Sequence, residues 1–232
     1  MTVSAAFPPR PLGPGARLLR FLGGLWYFFW GKMIITWTLW LLFRVRVEGR
    51  EFEPRRGGFL VAANHASALD PLLVGGALRR KVYYMARDDL FRIPVLGAWL
   101  RSMGVFPVRR GQPDRRALRT SMHLLEQGEG VIIFPEGTRS RDGRLREPQP
   151  GAAMIALRTG AIVLPAAVIG SHRILPKGAR WPRFRRVTVR FGPPVAVPRV
   201  DGRLDHAVLA QWGARIMGAI EAMLPPEQRR GP

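Results

Sequence analysis

Short apolar runs alternate with amphipathic stretches from residue 45 to the end of the chain. Phe59–Ala63 follows Gly57-Gly58 and carries no polar residue, the pattern of a strand buried on both faces. Lys81–Ala86, ending in Arg87, reads as a strand, as do Val105–Val108, Val131–Phe134, Ala161–Val168 and Val187–Phe191. Arg44–Gly49, where Val45 and Val47 alternate with charges, reads as the first of the set. Pro165 is expected to interrupt its strand. Helical periods fall between the strands. Leu69–Leu78 has Pro71 in its first turn, Leu90–Met103 has Pro94 towards its start, and Asp114–Gln127 turns Leu118, Met122 and Leu125 inward. His123 lies beside that apolar face and reads as a surface residue. Gly151–Thr159 is a short apolar helix ended by Gly160, and Asp205–Leu224 sets Leu209, Trp212, Ile216, Ile220 and Met223 on one face. This alternation predicts an α/β fold, a mixed, mainly parallel sheet flanked by helices. A chain of 232 residues can bury one such core, here over residues 45–232, with residues 1–44 as an appendage.

The appendage has its own pattern. Residues 1–15 are rich in Pro and Gly and are expected to be disordered. Phe21–Phe43 is apolar and places Trp26, Trp30, Met33, Trp37 and Trp40 at alternating spacings of four and three, on one helical face. Lys32 sits mid-run, where a single span would bury its ammonium at a cost of about 2.5–3.5 kcal/mol. Gly23-Gly24 and Gly31 offer breaks, and tryptophan suits interfacial depth. The segment is therefore expected to lie in, or dip into, the cytoplasmic leaflet of the cell membrane as one or two helices. No small-residue cleavage site follows it, so no signal peptide is expected.

Charge sharpens that picture. Lys and Arg number 37 against 16 Asp and Glu, a net charge of +21. Such a balance calls for a polyanionic partner, either nucleic acid or an anionic membrane surface. The arginines are spread along the chain, with no zinc-finger spacing and no basic region joined to a heptad, so the membrane is favoured and no nucleic acid is expected. Trp181 and the basic run from Arg173 to Arg190, which has no acids, read as an exposed loop able to meet anionic lipid heads. The absence of cysteine excludes disulfides, thiolate metal sites and an acyl-cysteine intermediate. No metal-ligand cluster is visible, and no metal requirement is expected.

Candidate chemistry gathers at two strand ends. Asn64-His65-Ala66-Ser67-Ala68-Leu69-Asp70 follows the first buried run. On a continuous helix His65 and Asp70 would stand about 140° apart, so they can meet only across a turn, which a strand-to-helix junction supplies. A carboxylate there fixes the imidazole tautomer and stabilises the protonated ring, making His65 a candidate general base towards a hydroxyl. The pair alone is also compatible with a turn in which Asp70 caps the next helix. A second polar cluster, Phe134-Pro135-Glu136-Gly137-Thr138-Arg139-Ser140, follows Val131–Phe134 and points to one shared site. There is no Gly-x-Ser-x-Gly elbow, and Ser67 reads as a turn residue rather than a nucleophile.

Together the two clusters resemble the paired signatures of the glycerolipid acyltransferases, whose best-known members are the 1-acylglycerol-3-phosphate acyltransferases; the resemblance covers residues 45 to 195. It implies acyl transfer from acyl-CoA or acyl carrier protein, as co-substrate, to the sn-2 hydroxyl of a lysophospholipid acceptor. It casts His65 as base and Asp70 as its partner, and needs no other cofactor. Gly137, Thr138 and Arg139 form a Gly-containing turn suited to a phosphate, with Glu136 orienting Arg139 or accepting from the glycerol backbone. Gly104-Val-Phe-Pro-Val-Arg109-Arg110 resembles the family's second motif and gives Arg110 a phosphate contact. Leu164-Pro165-Ala166 resembles the fourth, where Pro165 shapes a substrate-lining strand. Arg87 stands where many relatives have Lys, and Glu147–Gly151 lacks a Lys common in the family. Both departures bear on the acceptor. A lyso-ornithine lipid or another lysolipid is the alternative acceptor, and a non-enzymatic basic membrane- or nucleic-acid-binding protein is the alternative class.

Overall fold

The computed structural model describes residues 33–109, 114–176, 179 and 181–231. The described strands are β1 (Arg46–Glu48), β2 (Phe59–Ala63), β3 (Val82–Arg87), β4 (Val105–Val108), β5 (Gly130–Ile133), β6 (Ile162–Ile169) and β7 (Thr188–Phe191). They form one sheet in the order β1-β7-β6-β2-β5-β3-β4. From β6 across to β4 all neighbours are parallel. β7 runs antiparallel to β6, and β1 runs parallel to β7. The sheet is thus mixed and mainly parallel, as the strand and helix alternation predicts.

The sheet is covered on both faces. Phe59, Val61 and Ala63 of β2 share a core with α1 (Ile34–Phe43), α2 (Asp70–Ala77) and α3 (Pro94–Ser102). Leu60 and Ala62 point the other way, into a second core with α4 (Arg115–Glu126), α5 (Pro150–Thr159) and α6 (His206–Glu221). Side chains alternate across a strand, so burial on both faces demands the unbroken apolar run seen in β2. The chain leaves β2 through α2 on one face and leaves β5 through α5 on the other. Their exit loops therefore open a crevice at the carboxyl edge of adjacent strands, where ligands bind in open α/β sheets.

Two expectations are corrected. Pro165 does not interrupt its strand: β6 runs through it, and both neighbours of β6 are strands. Pro165 C=O accepts from Gly192 N–H, so the side on which proline lacks a donor faces the end of β7. There the ladder bulges: two residues between Val163 and Ala166 face three between Phe191 and Val195. The helix expected over Leu90–Met103 is split. Residues Asp88–Arg92 form a 3-10 turn and α3 starts afresh at Pro94, because Ile93 is held extended before the proline.

Of the N-terminal apolar segment, α1 and Met33 are described; Trp26, Trp30 and Lys32 lie outside the described residues. α1 buries Leu39 and Phe43 and leaves Trp37 and Leu41 exposed. Among the described residues no helix is long and apolar enough to cross a membrane.

β2 starts against the end of α4 with no room to spare. A Cβ at Gly58 would stand 2.0 Å from the Leu125 carbonyl oxygen. Gly58→Ala is expected to destabilise the fold by about 3 kcal/mol in urea unfolding, through displacement of α4 or β2. A change within about 0.5 kcal/mol would contradict this packing.

Candidate active site

β2 ends at Ala63, and Asn64 leaves the sheet without losing the ladder. Its side-chain amide replaces backbone groups: Oδ1 accepts from Val168 N–H at 2.7 Å and Nδ2 donates to Val168 C=O at 3.1 Å. The exit of β2 is thereby tied to β6. The next residues wind into a turn closed by Asp70, the first residue of α2. A single oxygen, Asp70 Oδ2, accepts from the N–H groups of Ala66 and Ser67, both at 2.7 Å, and meets His65 Nδ1 at 2.9 Å. The intervening turn thus joins the imidazole and the carboxylate. A carboxylate oxygen can only accept, so Nδ1 carries the proton of the neutral ring and Nε2 keeps its lone pair. The ring stacks on Phe134, 4.1 Å between centroids at 24°. His65 is 5% exposed and Asp70 is fully buried. Ser67 Oγ accepts from Leu69 N–H and donates to Leu175 C=O, each at 3.3 Å, which is turn work and not that of a nucleophile.

The loop after β5 clamps this turn from the other side. Gly137 N–H donates to Phe134 C=O at 3.0 Å, and the left-handed backbone at Gly137 (φ 69°) completes the bend. The bend throws Glu136 inward. Its Oε1 accepts from His65 N–H at 2.7 Å and its Oε2 from Arg146 N–H at 3.1 Å. Ser140 N–H donates to His65 C=O at 2.7 Å. Both backbone groups of His65 are therefore held by the second cluster. Burial pushes the Glu136 carboxyl up to about 7, opposed by its two N–H donors and reinforced by the charge of Asp70.

Glu136 does not orient Arg139, as the sequence suggested. Both its oxygens are committed to backbone N–H groups, and it acts as a positioning residue for His65. Arg139 is half-buried and makes no hydrogen bond or ion pair among the described residues. With exposed Gly137 and half-buried Thr138, it borders the loop that holds His65. Arg87 ends β3 and forks onto Asp89, with Nε to Oδ1 at 3.0 Å, and that guanidinium holds the Asp89 carboxyl below its ordinary range. Pro165 is buried in β6 opposite Ala62, and Arg110 lies outside the described residues.

Phe134 and Ser140 belong to the second polar cluster, but neither the stacking of Phe134 on His65 nor the Ser140 N–H bond to the His65 carbonyl was legible in the sequence. Arg146 acts through its N–H, which leaves no side-chain signal.

The Glu136 shift has a defined sign. Its folded value, about 7, lies above the ordinary 4.5, so the native state keeps a proton that the unfolded chain releases. Its contribution to stability is present below pH 4.5 and is lost as pH rises to about 7. Relative to Glu136→Gln, the wild type is expected to lose on the order of 3 kcal/mol across that window in denaturant titrations at a series of pH values. A difference that stays flat with pH would contradict a buried, protonatable Glu136.

A family model described as Acyltransferase matches residues 44–169. The chloroplastic 1-acyl-sn-glycerol-3-phosphate acyltransferase of Arabidopsis thaliana is 33% identical over 154 residues, 65% of this chain and 43% of that protein. The 1-acyl-sn-glycerol-3-phosphate acyltransferase of Bacillus subtilis is 38% identical over 128 residues, 54% of this chain and 63% of that protein. That of Borreliella burgdorferi is 30% identical over 178 residues, 73% of this chain and 69% of that protein. The alignments to the first two span less than two thirds of those relatives. The crystal structure of the 1-acyl-sn-glycerophosphate acyltransferase of Thermotoga maritima superposes with a TM-score of 0.69 at 26% identity, covering 88% of this chain and 87% of that one. The matched region runs from the end of α1 through β6 and contains both clamped loops, and on that match the chain belongs to the Acyltransferase family.

Proposed function

We propose that this protein transfers a fatty acyl group from acyl-CoA or acyl carrier protein to the sn-2 hydroxyl of 1-acylglycerol 3-phosphate, forming phosphatidic acid at the cytoplasmic face of the cell membrane. The observation that carries the reading is His65 Nδ1 held at 2.9 Å on Asp70, which leaves Nε2 as the basic nitrogen. The names of the relatives support the acceptor. The outward Trp37 and Leu41 of α1 support the membrane.

Nε2 takes the proton of the acceptor hydroxyl as its oxygen attacks the thioester carbonyl. A C–O bond forms, the C–S bond breaks, and the proton passes from the imidazolium to the departing thiolate. Asp70 holds the ring in register and stabilises the imidazolium. No acyl-enzyme forms, in keeping with the absence of cysteine and the turn role of Ser67. Arg139, with a guanidinium uncommitted among the described residues, is assigned to the acceptor phosphate, and Arg110 is proposed to assist it.

Thiol release from acyl-CoA, with and without 1-acylglycerol 3-phosphate, tests the reading. Acceptor-dependent release is expected, and His65→Ala should lower kcat by about 10³-fold. Release that needs no acceptor and survives the substitution would sink the mechanism. Arg139→Ala should raise the acceptor KM about 30-fold with kcat little changed, since a ground-state phosphate contact is lost. An equal effect on a phosphate-free lysolipid would remove Arg139 from the phosphate.

A further inference from the structure

The exposed large apolar side chains of the described residues are unevenly placed. They lie on α1 and Met33, at Ile93 and Val95, at Trp181 and Phe184, and at Ile162. Ile162 begins β6, at the amino edge of the parallel strands. Trp181 and Phe184 belong to the other edge. β7 is antiparallel to β6, and its first residue, Thr188, pairs with Ile169 at the end of β6, so the segment leading into β7 sits at the carboxyl edge with His65.

This segment is held in place by its backbone while its side chains are offered outward. Arg183 N–H donates to Ile174 C=O at 2.7 Å, and Val187 N–H donates to Phe43 C=O at 3.2 Å. The Phe184 ring stacks on buried Phe43, the last residue of α1, at 6.2 Å, yet Phe184 stays 67% exposed and Trp181 82% exposed. Arg183, Arg185 and Arg186 are exposed, and none makes an ion pair among the described residues. No acid occurs between Arg173 and Arg190. Large aromatics interleaved with unpaired arginines on a tethered loop match one surface chemistry, an anionic bilayer: aromatic rings suit the headgroup level and guanidinium groups suit lipid phosphates. The stacking on Phe43 joins the loop to the end of α1, whose outer face is itself apolar.

We infer that residues 181–186, packed on the end of the N-terminal segment, are a membrane-docking element in their own right, which seats the carboxyl edge of the sheet on anionic lipid. The inference shares with the proposed function the premise of a membrane-borne acceptor, but lipid binding is read without turnover. The full-length protein is mixed with phosphatidylcholine vesicles with or without phosphatidylglycerol and sedimented. The triple variant Arg183→Gln, Arg185→Gln, Arg186→Gln is expected to partition about 100-fold less onto phosphatidylglycerol vesicles at low salt, with little change on pure phosphatidylcholine. High salt should close the gap. Trp181→Ala with Phe184→Ala should weaken binding to both vesicles. Acyl transfer to acceptor dispersed in detergent should be unchanged in both variants.

Equal partitioning of wild type and triple variant overturns the inference, as does a wild type that binds neither vesicle. Retained vesicle binding with lost binding to acyl carrier protein would give the loop to a protein partner. Lost activity in detergent would place the arginines in the acceptor site. A wild type that binds anionic vesicles through this loop but transfers no acyl group would instead defeat the proposed function and leave the docking surface standing.

Discussion

One oxygen atom, Asp70 Oδ2, gathers two backbone N–H groups and an imidazole nitrogen within 2.9 Å. Ala66 and Ser67 are buried and both their N–H groups donate to this oxygen, and an unmade buried hydrogen bond costs about 1–3 kcal/mol. The same contacts that fold the turn aim the ring. Asp70 can do this because it is the first residue of α2, where a carboxylate is favoured by the helix dipole. The start of the helix, the shape of the turn and the tautomer of His65 are thus one arrangement.

The clamp from β5 adds a constraint that works against stability. Glu136 is buried, and burial raises the free energy of its charged form. A hydrophobic residue would avoid that penalty but could not hold His65 N–H and Arg146 N–H. The geometry is retained at a cost in stability near neutral pH, a pattern common at functional sites. β2 and β5 are paired neighbours, so the two loops are fixed relative to one another by the most buried part of the sheet. Gly58 and Asn64 bracket β2, one setting its approach to α4 and the other its attachment to β6.

Much of this was legible in the sequence, and the reasons differ by element. β2 announced itself because burial on two faces permits no polar residue from Phe59 to Ala63. The meeting of His65 and Asp70 followed from their placement at a strand-to-helix junction. The role of Glu136 was not legible: its partners are backbone groups 71 and 10 residues away, and backbone donors carry no residue code. Pro165 misled because local propensity cannot show that its missing donor falls opposite the end of a neighbouring strand. Leu90–Met103 looked helical throughout in the apolar pattern, and that pattern could not show that the residues before Pro94 form a separate 3-10 turn and that the helix starts only at Pro94.

The central claim is that Asp70 fixes His65 with Nδ1 protonated and Nε2 free to act as base. Nitrogen NMR of ¹⁵N-histidine-labelled protein reads this directly at a pH where the ring is neutral, with His65→Gln used to assign the resonance. The account predicts a pyrrole-type signal for Nδ1 and a pyridine-type signal for Nε2, with that distinction lost in Asp70→Asn. A ring protonated at Nε2 in the wild type, or one averaging freely between tautomers, would contradict it.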